Sequence, residues 1–447
     1  MWRRIGIAVG VALPAVVIRL AGIHPSPELT VVVFGAAVVT SAVLLAWAAE
    51  AAQVDISGSL AIAILALIAV LPEYAVDLYF AYSAGTRPEY TQFAAANMTG
   101  SNRLLIGIGW PLVAFVALWA IRRRRGARPS DGPGVARRQA GRRRPVIALP
   151  AHRRVELGFL ALASAYAFVI PITRSIAWYD AAILLALFAL YLFRVTREGR
   201  GEPELMGIAA QIGALPRRRR RTLVAGMFFV AAAIVVSAAE PFANGLVDTG
   251  RNLGIDQFLL VQWLAPLASE APELIVATLF AWRLKIDDSL GTLLSAKVNQ
   301  WTLLVGSLFV AYALGGGRGG LPLDDRQTEE FLLTSAQALL GFAVLVDLSF
   351  GAWEAGALLL LFALQFPFPS TEIRLVFSAA YIALAALLLV RKRGSLRPIL
   401  TAIVNWGART SPSAERPRGE VRPRPAASAP PRRPPAGGTG PGDRSGA

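Results

Sequence analysis

Residues 72–82 read PEYAVDLYFAY, and residues 272–282 read PELIVATLFAW. Laid over one another, Pro72, Glu73, Val76, Phe80 and Ala81 recur as Pro272, Glu273, Val276, Phe280 and Ala281, and Tyr82 as the aromatic Trp282. Downstream, LLIG at 104–107 recurs as LLVG at 303–306. Upstream, each copy carries an apolar stretch containing AAE, ending at Glu50 and at Glu240. Chance overlap between two oily helices explains shared Ala and Leu but not a shared Pro-Glu pair, because both residues suit a lipid-packed helix poorly. The chain therefore holds an internal repeat.

The composition says what surrounds it. Of 447 residues, 55% are hydrophobic and 17% are charged, yet the net charge is +16. A soluble domain carries about 25% charged residues, so this balance excludes an ordinary nucleic-acid-binding protein and fits a membrane protein with basic loops. Cysteine is absent, which excludes disulfides and thiolate metal centres. With only His24 and His152, a multi-histidine metal centre is excluded as well.

About 20 apolar residues cross a bilayer as a helix. Some twelve such stretches occur, near 5–23, 29–52, 57–84, 90–121, 155–174, 177–195, 222–250, 256–283, 287–314, 329–347, 350–366 and 372–391. They are too long and continuous for the short alternating strands of a barrel. The expected fold is thus an all-α polytopic membrane protein. The first stretch contains Arg19 and runs into HPSP with no small-residue cleavage site, and is expected to be a retained helix.

Charge orients the spans. Residues 122–154 hold 12 Arg against one Asp, and 194–221 hold 8 Arg against 3 Glu, including the run at 217–221. From Arg391 to the end there are 12 basic and 3 acidic residues. The opposite loops hold only Arg87, Arg174, Arg251, Arg318 and Arg326. By the positive-inside rule, both termini are cytoplasmic. The Arg, Ala, Gly and Pro bias is that of a GC-rich bacterial gene, which places the chain in a bacterial inner membrane. The expected organisation is an extra helix at 1–28, a first repeat at 29–121, and a disordered basic loop at 122–154. Two linking helices and a basic loop follow at 155–221, then a second repeat at 222–314, C-terminal helices at 315–393, and a disordered tail at 394–447. The basic segments should attract anionic lipid head groups; no nucleic acid partner is expected.

The first repeat covers spans 2–4 and the second covers spans 7–9. Five spans separate them, an odd number, so the copies face opposite ways. Inverted repeats with broken helices meeting at mid-membrane are a common secondary-transporter plan. Here the sequence resembles the sodium/calcium exchanger (cation/calcium antiporter) superfamily. Its repeats pair a Pro-Glu on one helix with a Gly-Ser-Asn on the next. The first copy reads LPE at 71–73 and GSN at 100–102; the second reads APE at 271–273 but SAKVNQW at 295–301. The resemblance implies that Glu73 and Glu273 are paired cation ligands (the metal ligands), that Ser101 lines the site, and that spans 2 and 7 are sliding gate helices. It also implies Ca²⁺ export against Na⁺ or H⁺, with a Na⁺/H⁺ exchanger as the alternative, and no cofactor beyond the transported ions.

The residues support this independently. Glu73 and Asp77 lie four apart and share a helix face, as do Glu270 and Glu273, three apart. Carboxylates in mid-membrane need a cation, a counter-charge or protons, and oxygen ligands suit hard cations. Pro72 and Pro272 donate no backbone hydrogen bond, so each frees a carbonyl one turn earlier. Asn97, Thr99, Asn102, Asn299 and Gln300 are further polar candidates. The chain departs from the family at Leu105, where an Asn or Asp is usual, and at Glu270, where a Ser is usual. Lys297 falls opposite Met98 if the copies are aligned on LLVG, or takes the place of the second Asn if aligned on family spacing. It is expected to act as a built-in counter-ion beside Glu270 or Glu273; the alternative is a side chain that snorkels to a surface. Two rival functions are a membrane-embedded enzyme and a transport-inactive scaffold. Against the first, there is no HExxH, GxSxG or Walker A motif.

Overall fold

The computed structural model describes residues 1–55, 70–124, 146–197, 205, 207–366, 368 and 370–404. Seventeen α-helices account for nearly all of this. The chain begins with α1 (Trp2–Ala21) and α2 (Pro27–Ala52). Next come α3 (Leu71–Ala84), α4 (Thr91–Leu104) and α5 (Trp110–Arg124), then α6 (Arg154–Tyr166), α7 (Val169–Thr173) and α8 (Trp178–Arg197). The second half holds α9 (Gly207–Gly213), α10 (Arg217–Leu253), α11 (Gln257–Trp282), α12 (Ile286–Asn299) and α13 (Val305–Leu314). It ends with α14 (Asp325–Leu345), α15 (Ala352–Gln365), α16 (Thr371–Arg391) and α17 (Leu396–Val404).

Among the described residues, nine helical segments are long and apolar enough to cross a membrane. Two of these, Pro88–Arg123 and Ile286–Leu314, are each two α-helices joined end to end by a π-turn, at Leu105–Gly109 and Gln300–Leu304. A π-turn adds one residue to the helical circuit and is often found at functional sites. Each copy carries one such turn in the helix that follows its Pro-Glu helix. Of the other expected spans, 329–347 is represented by the 21-residue α14, which ends at Leu345, and 350–366 by the 14-residue α15. Only the second half of 57–84 falls within the described residues, as α3.

The copies run in opposite directions. Asp55, just after α2, meets Arg220 at the start of α10. Gly35 lies against Phe242, and Thr30 near the start of α2 lies against Gly245 near the end of α10. The first helices of the two copies are therefore antiparallel, as inverted repeats require.

Three segments differ from the sequence expectation. The loop 122–154 was expected to be disordered throughout, but β1 (Val146–Ala148) pairs antiparallel with β2 (Ser349–Gly351), with Ile147 buried opposite Phe350. Arg153 is fixed by Asp287 at 2.6 Å and Glu156 at 2.8 Å. Residues 125–145 lie outside the described residues. The tail was expected to be disordered from 394, but α17 packs Ile399 and Ile403 against Gly158, an amphipathic turn that the surrounding Arg and Pro obscure; 405–447 lie outside the described residues. The helix was expected to break at Pro272, yet α11 runs continuously from Gln257 to Trp282. A proline removes one helical hydrogen bond, here the donor to the Ala268 carbonyl, and α11 is held by α2, α4, α10 and α12 on several sides. Pro72 instead occupies the first turn of α3, where a missing N–H costs nothing.

Candidate cation site

The helix α4 is buried along most of its length, so its polar side chains point into protein rather than lipid. It crosses α11 at very close range. A Cβ on Gly100 would stand 1.8 Å from the Gln262 carbonyl oxygen, so only glycine fits there. That crossing brings Ser101 of α4 beside Glu270 in the acidic stretch of α11, while Asn97 faces Asp77 of α3 and Asn102 faces Lys297 of α12. The N-terminal half of α3 adds Glu73 and Asp77 from another side.

Glu73, Asp77 and Glu270 are buried, and Glu273 is half-buried with Oε2 inaccessible. Glu73 lies within electrostatic reach of Glu270, Glu273 and Asp77. Ser101 lies beside Glu270, and Asn97 beside Asp77. Gln300, in the second π-turn, donates to Glu270 Oε1 at 2.9 Å. Within this group Glu73 Oε1, both Asp77 oxygens, Asn97 Oδ1, Ser101 Oγ, Glu270 Oε2, Glu273 Oε2 and Gln300 Oε1 have no hydrogen-bond partner. Buried polar atoms are nearly always paired. A convergence of eight unpaired oxygens, five of them carboxylate, is chemically a place for hard cations or protons. Among the described residues no three His, Asp or Glu side chains form a ready metal cage, so neutral oxygens must complete any shell here.

Lys297 does not snorkel. It is fully buried, and its ammonium donates to Asn102 Oδ1 at 2.6 Å and to the Asn102 carbonyl at 2.8 Å. It stands 5.3 Å from the centre of the Trp301 ring and acts on Glu270 and Glu73 at longer range. The expected direct pairing with a carboxylate is thus replaced by a hold on Asn102. Superposing the two π-turns puts Lys297 where Asn102 stands, which selects the register in which Lys takes the place of the second Asn. Asn299 lies outside the carboxylate group and accepts from Tyr74 Oη at 2.9 Å. Tyr74 itself was not singled out in the sequence, although its place beside Glu73 was the available signal.

A second polar group braces α4 from behind. Arg103 forms a buried ion pair with Glu330 of α14, which also accepts from Gln262 of α11 at 3.0 Å. Arg374 of α16 lies 3.8 Å from Glu330 and pairs with Glu329 at 2.7 Å. Gln337 donates to the Arg103 carbonyl at 3.2 Å.

A family model described as sodium/calcium exchanger protein matches residues 28–197 and 223–368. The chain belongs to the sodium/calcium exchanger family. This exchanger is also 40% identical to a solved structure titled H⁺/Ca²⁺ exchanger CAX, covering 90% of this chain and 98% of that one with a TM-score of 0.80. A native YfkE structure shares the fold at 15% identity, covering 85% of this chain and 99% of that one, with a TM-score of 0.53. Among curated proteins, none matches the exchanger. The chain is accordingly a multi-pass membrane cation antiporter, and α1 lies outside the region that the family model matches.

Proposed function

We propose that the exchanger moves Ca²⁺ against H⁺ through the site between α3 and α11, with Glu73 and Glu273 as principal ligands. Asp77, Glu270, Ser101 and Asn97 complete the set. The observation that carries this reading is the convergence of four carboxylates, each with at least one buried oxygen that lacks a partner. The similarity to an H⁺/Ca²⁺ exchanger at 40% identity supports the choice of ions. Exchange follows from electrostatics. Several ionised carboxylates cannot stay uncompensated in a low-dielectric interior. Either Ca²⁺ or protons must neutralise them before the site can face the other side, so each ion leaves only as the other arrives.

Lys297 favours a second reading, Na⁺ against H⁺, because a resident ammonium already offsets one carboxylate charge. The basic segments and the position of Trp2 beside the 217–221 run support cytoplasmic placement of the N-terminus in a bacterial inner membrane.

One assay decides. Protein reconstituted into vesicles is given Ca²⁺, Na⁺ and pH gradients singly, and wild type is compared with Glu73→Gln and Glu273→Gln. The proposal expects Ca²⁺ uptake driven by an outward proton gradient, lost in both variants. Na⁺-driven proton movement without Ca²⁺ flux would select the second reading. Wild-type silence under every gradient, or full activity in both variants, would refute the site.

A further inference from the structure

The helices α1 and α2 and the start of α10 enclose a cleft of about 650 Å³, open on one side. Its walls are apolar, with Trp2 and Ile5 from α1, Leu44 from α2, and Met227 from α10. Among the described residues no acidic side chain lines it. At its mouth stand Arg218 and Arg219.

These two arginines differ from their neighbours. In the run 217–221, Arg220 grips Asp55 at 2.6 Å, Arg221 reaches it at 3.2 Å and Arg217 at 3.8 Å. Arg218 and Arg219 have no acidic partner among the described residues and are exposed. They sit at the first turn of a 37-residue helix whose following residues are apolar, which is the level of the lipid head groups. A Cβ on Gly226, which also lines the cleft, would meet nothing within 4 Å. The cleft therefore offers an oily channel two turns deep beneath an unneutralised pair of guanidinium groups.

We propose that this cleft binds one anionic phospholipid, with an acyl chain along α1 and α10 and its phosphate on Arg218 and Arg219. Guanidinium groups bind phosphate bidentately, and an acyl chain is the occupant such walls fit. A soluble anion would need no apolar channel, and a neutral lipid would not need the arginines. Two of the three walls, α2 and α10, also pack on α11, which carries Glu270 and Glu273. A lipid seated here bears directly on the helices around the ion site.

The test counts bound lipid on delipidated full-length protein by native mass spectrometry, titrating dioleoyl phosphatidylglycerol and, separately, dioleoyl phosphatidylcholine. Wild type should hold one phosphatidylglycerol in preference to phosphatidylcholine. Arg218→Gln with Arg219→Gln should weaken it roughly thirtyfold, from about 1 kcal/mol per arginine near an anionic surface at about 1.4 kcal/mol per decade. Gly226→Trp fills the cleft, leaves every charge in place, and should lose the lipid as well. Arg391→Gln with Arg393→Gln, which removes basic charge elsewhere, should leave binding unchanged. Equal binding of both lipids, normal binding by Gly226→Trp, equal loss in the control, or displacement by free glycerol phosphate would each overturn the proposal.

Discussion

Replacing Glu330 by Met tests whether the polar group behind α4 holds the helix in place. Glu330 is almost wholly buried and receives Arg103, Gln262 and, more distantly, Arg374. Without it Arg374 keeps Glu329, at 2.7 Å and 2.8 Å. Arg103 keeps no carboxylate, and its Nε has no partner even in the intact protein. The single substitution thus strands one buried guanidinium, which costs about 3–5 kcal/mol. At about 2.1 cal/mol/K of unfolding entropy per residue, about 360 described residues give about 0.75 kcal/mol/K, so the midpoint should fall by about 5 °C. Arg103→Met combined with Glu330→Met removes both charges and should recover most of that loss, since apolar replacement of a whole buried pair is often neutral. The assay is thermal unfolding of the four proteins of this double-mutant cycle in one detergent, followed by intrinsic fluorescence. A fall below about 1 °C for Glu330→Met, or a double variant as unstable as the single, would show that the pair is not what fixes α4.

Three further outcomes follow from the same geometry. Gly100→Ala should express poorly or lose flux, because its methyl group would sit 1.8 Å from the Gln262 carbonyl and force α4 off α11; wild-type melting and flux would show that the crossing is loose. Hydrogen bonds from Arg220 hold Asp55 down at about 2, below the usual carboxylate value near 4. Its contribution to stability is therefore complete above about pH 4 and is lost as pH falls through about 2. Asp55→Asn should lower the melting temperature at pH 7 and flatten its acid dependence in that window; an unchanged acid limb would contradict this. Lys297→Met removes a positive charge facing Glu270 and Glu73. It should lower the half-saturating cation concentration and slow maximal flux in vesicles, whereas no change in either would show that the ammonium does not offset the site.

Much of this was legible because the membrane simplifies the code. Spans show up as oily runs, and a carboxylate within one is conspicuous, so Glu73, Asp77, Glu270 and Glu273 stood out and the structure brings them together. What stayed hidden depended on neighbours in space. Glu330 sits near the start of α14, where an acid in the sequence looks like an interfacial residue; only the packing of α4, α11 and α16 shows that it is buried. Pro272 looked like a helix break, because the sequence shows the missing donor but not the helices that hold α11 straight. The strand at Val146–Ala148 was lost in the average composition of an Arg-rich loop.

Lys297 was the hardest position to read, and the reason is geometric. A residue and its counterpart in an inverted repeat can touch only close to the axis relating the copies. In the register set by the π-turns, Asn102 and Lys297 are counterparts, and they are in contact at 2.6 Å. They therefore mark the axis itself, where a symmetric pair of amides would have to meet each other. An Asn has both donors and acceptors, whereas an ammonium has donors alone. Lys297 keeps that contact by donating from its ammonium to both Asn102 oxygens, and it adds one positive charge that acts on Glu270 and Glu73. The loss of the second Gly-Ser-Asn is, on this argument, an asymmetric solution to a contact that symmetry imposes.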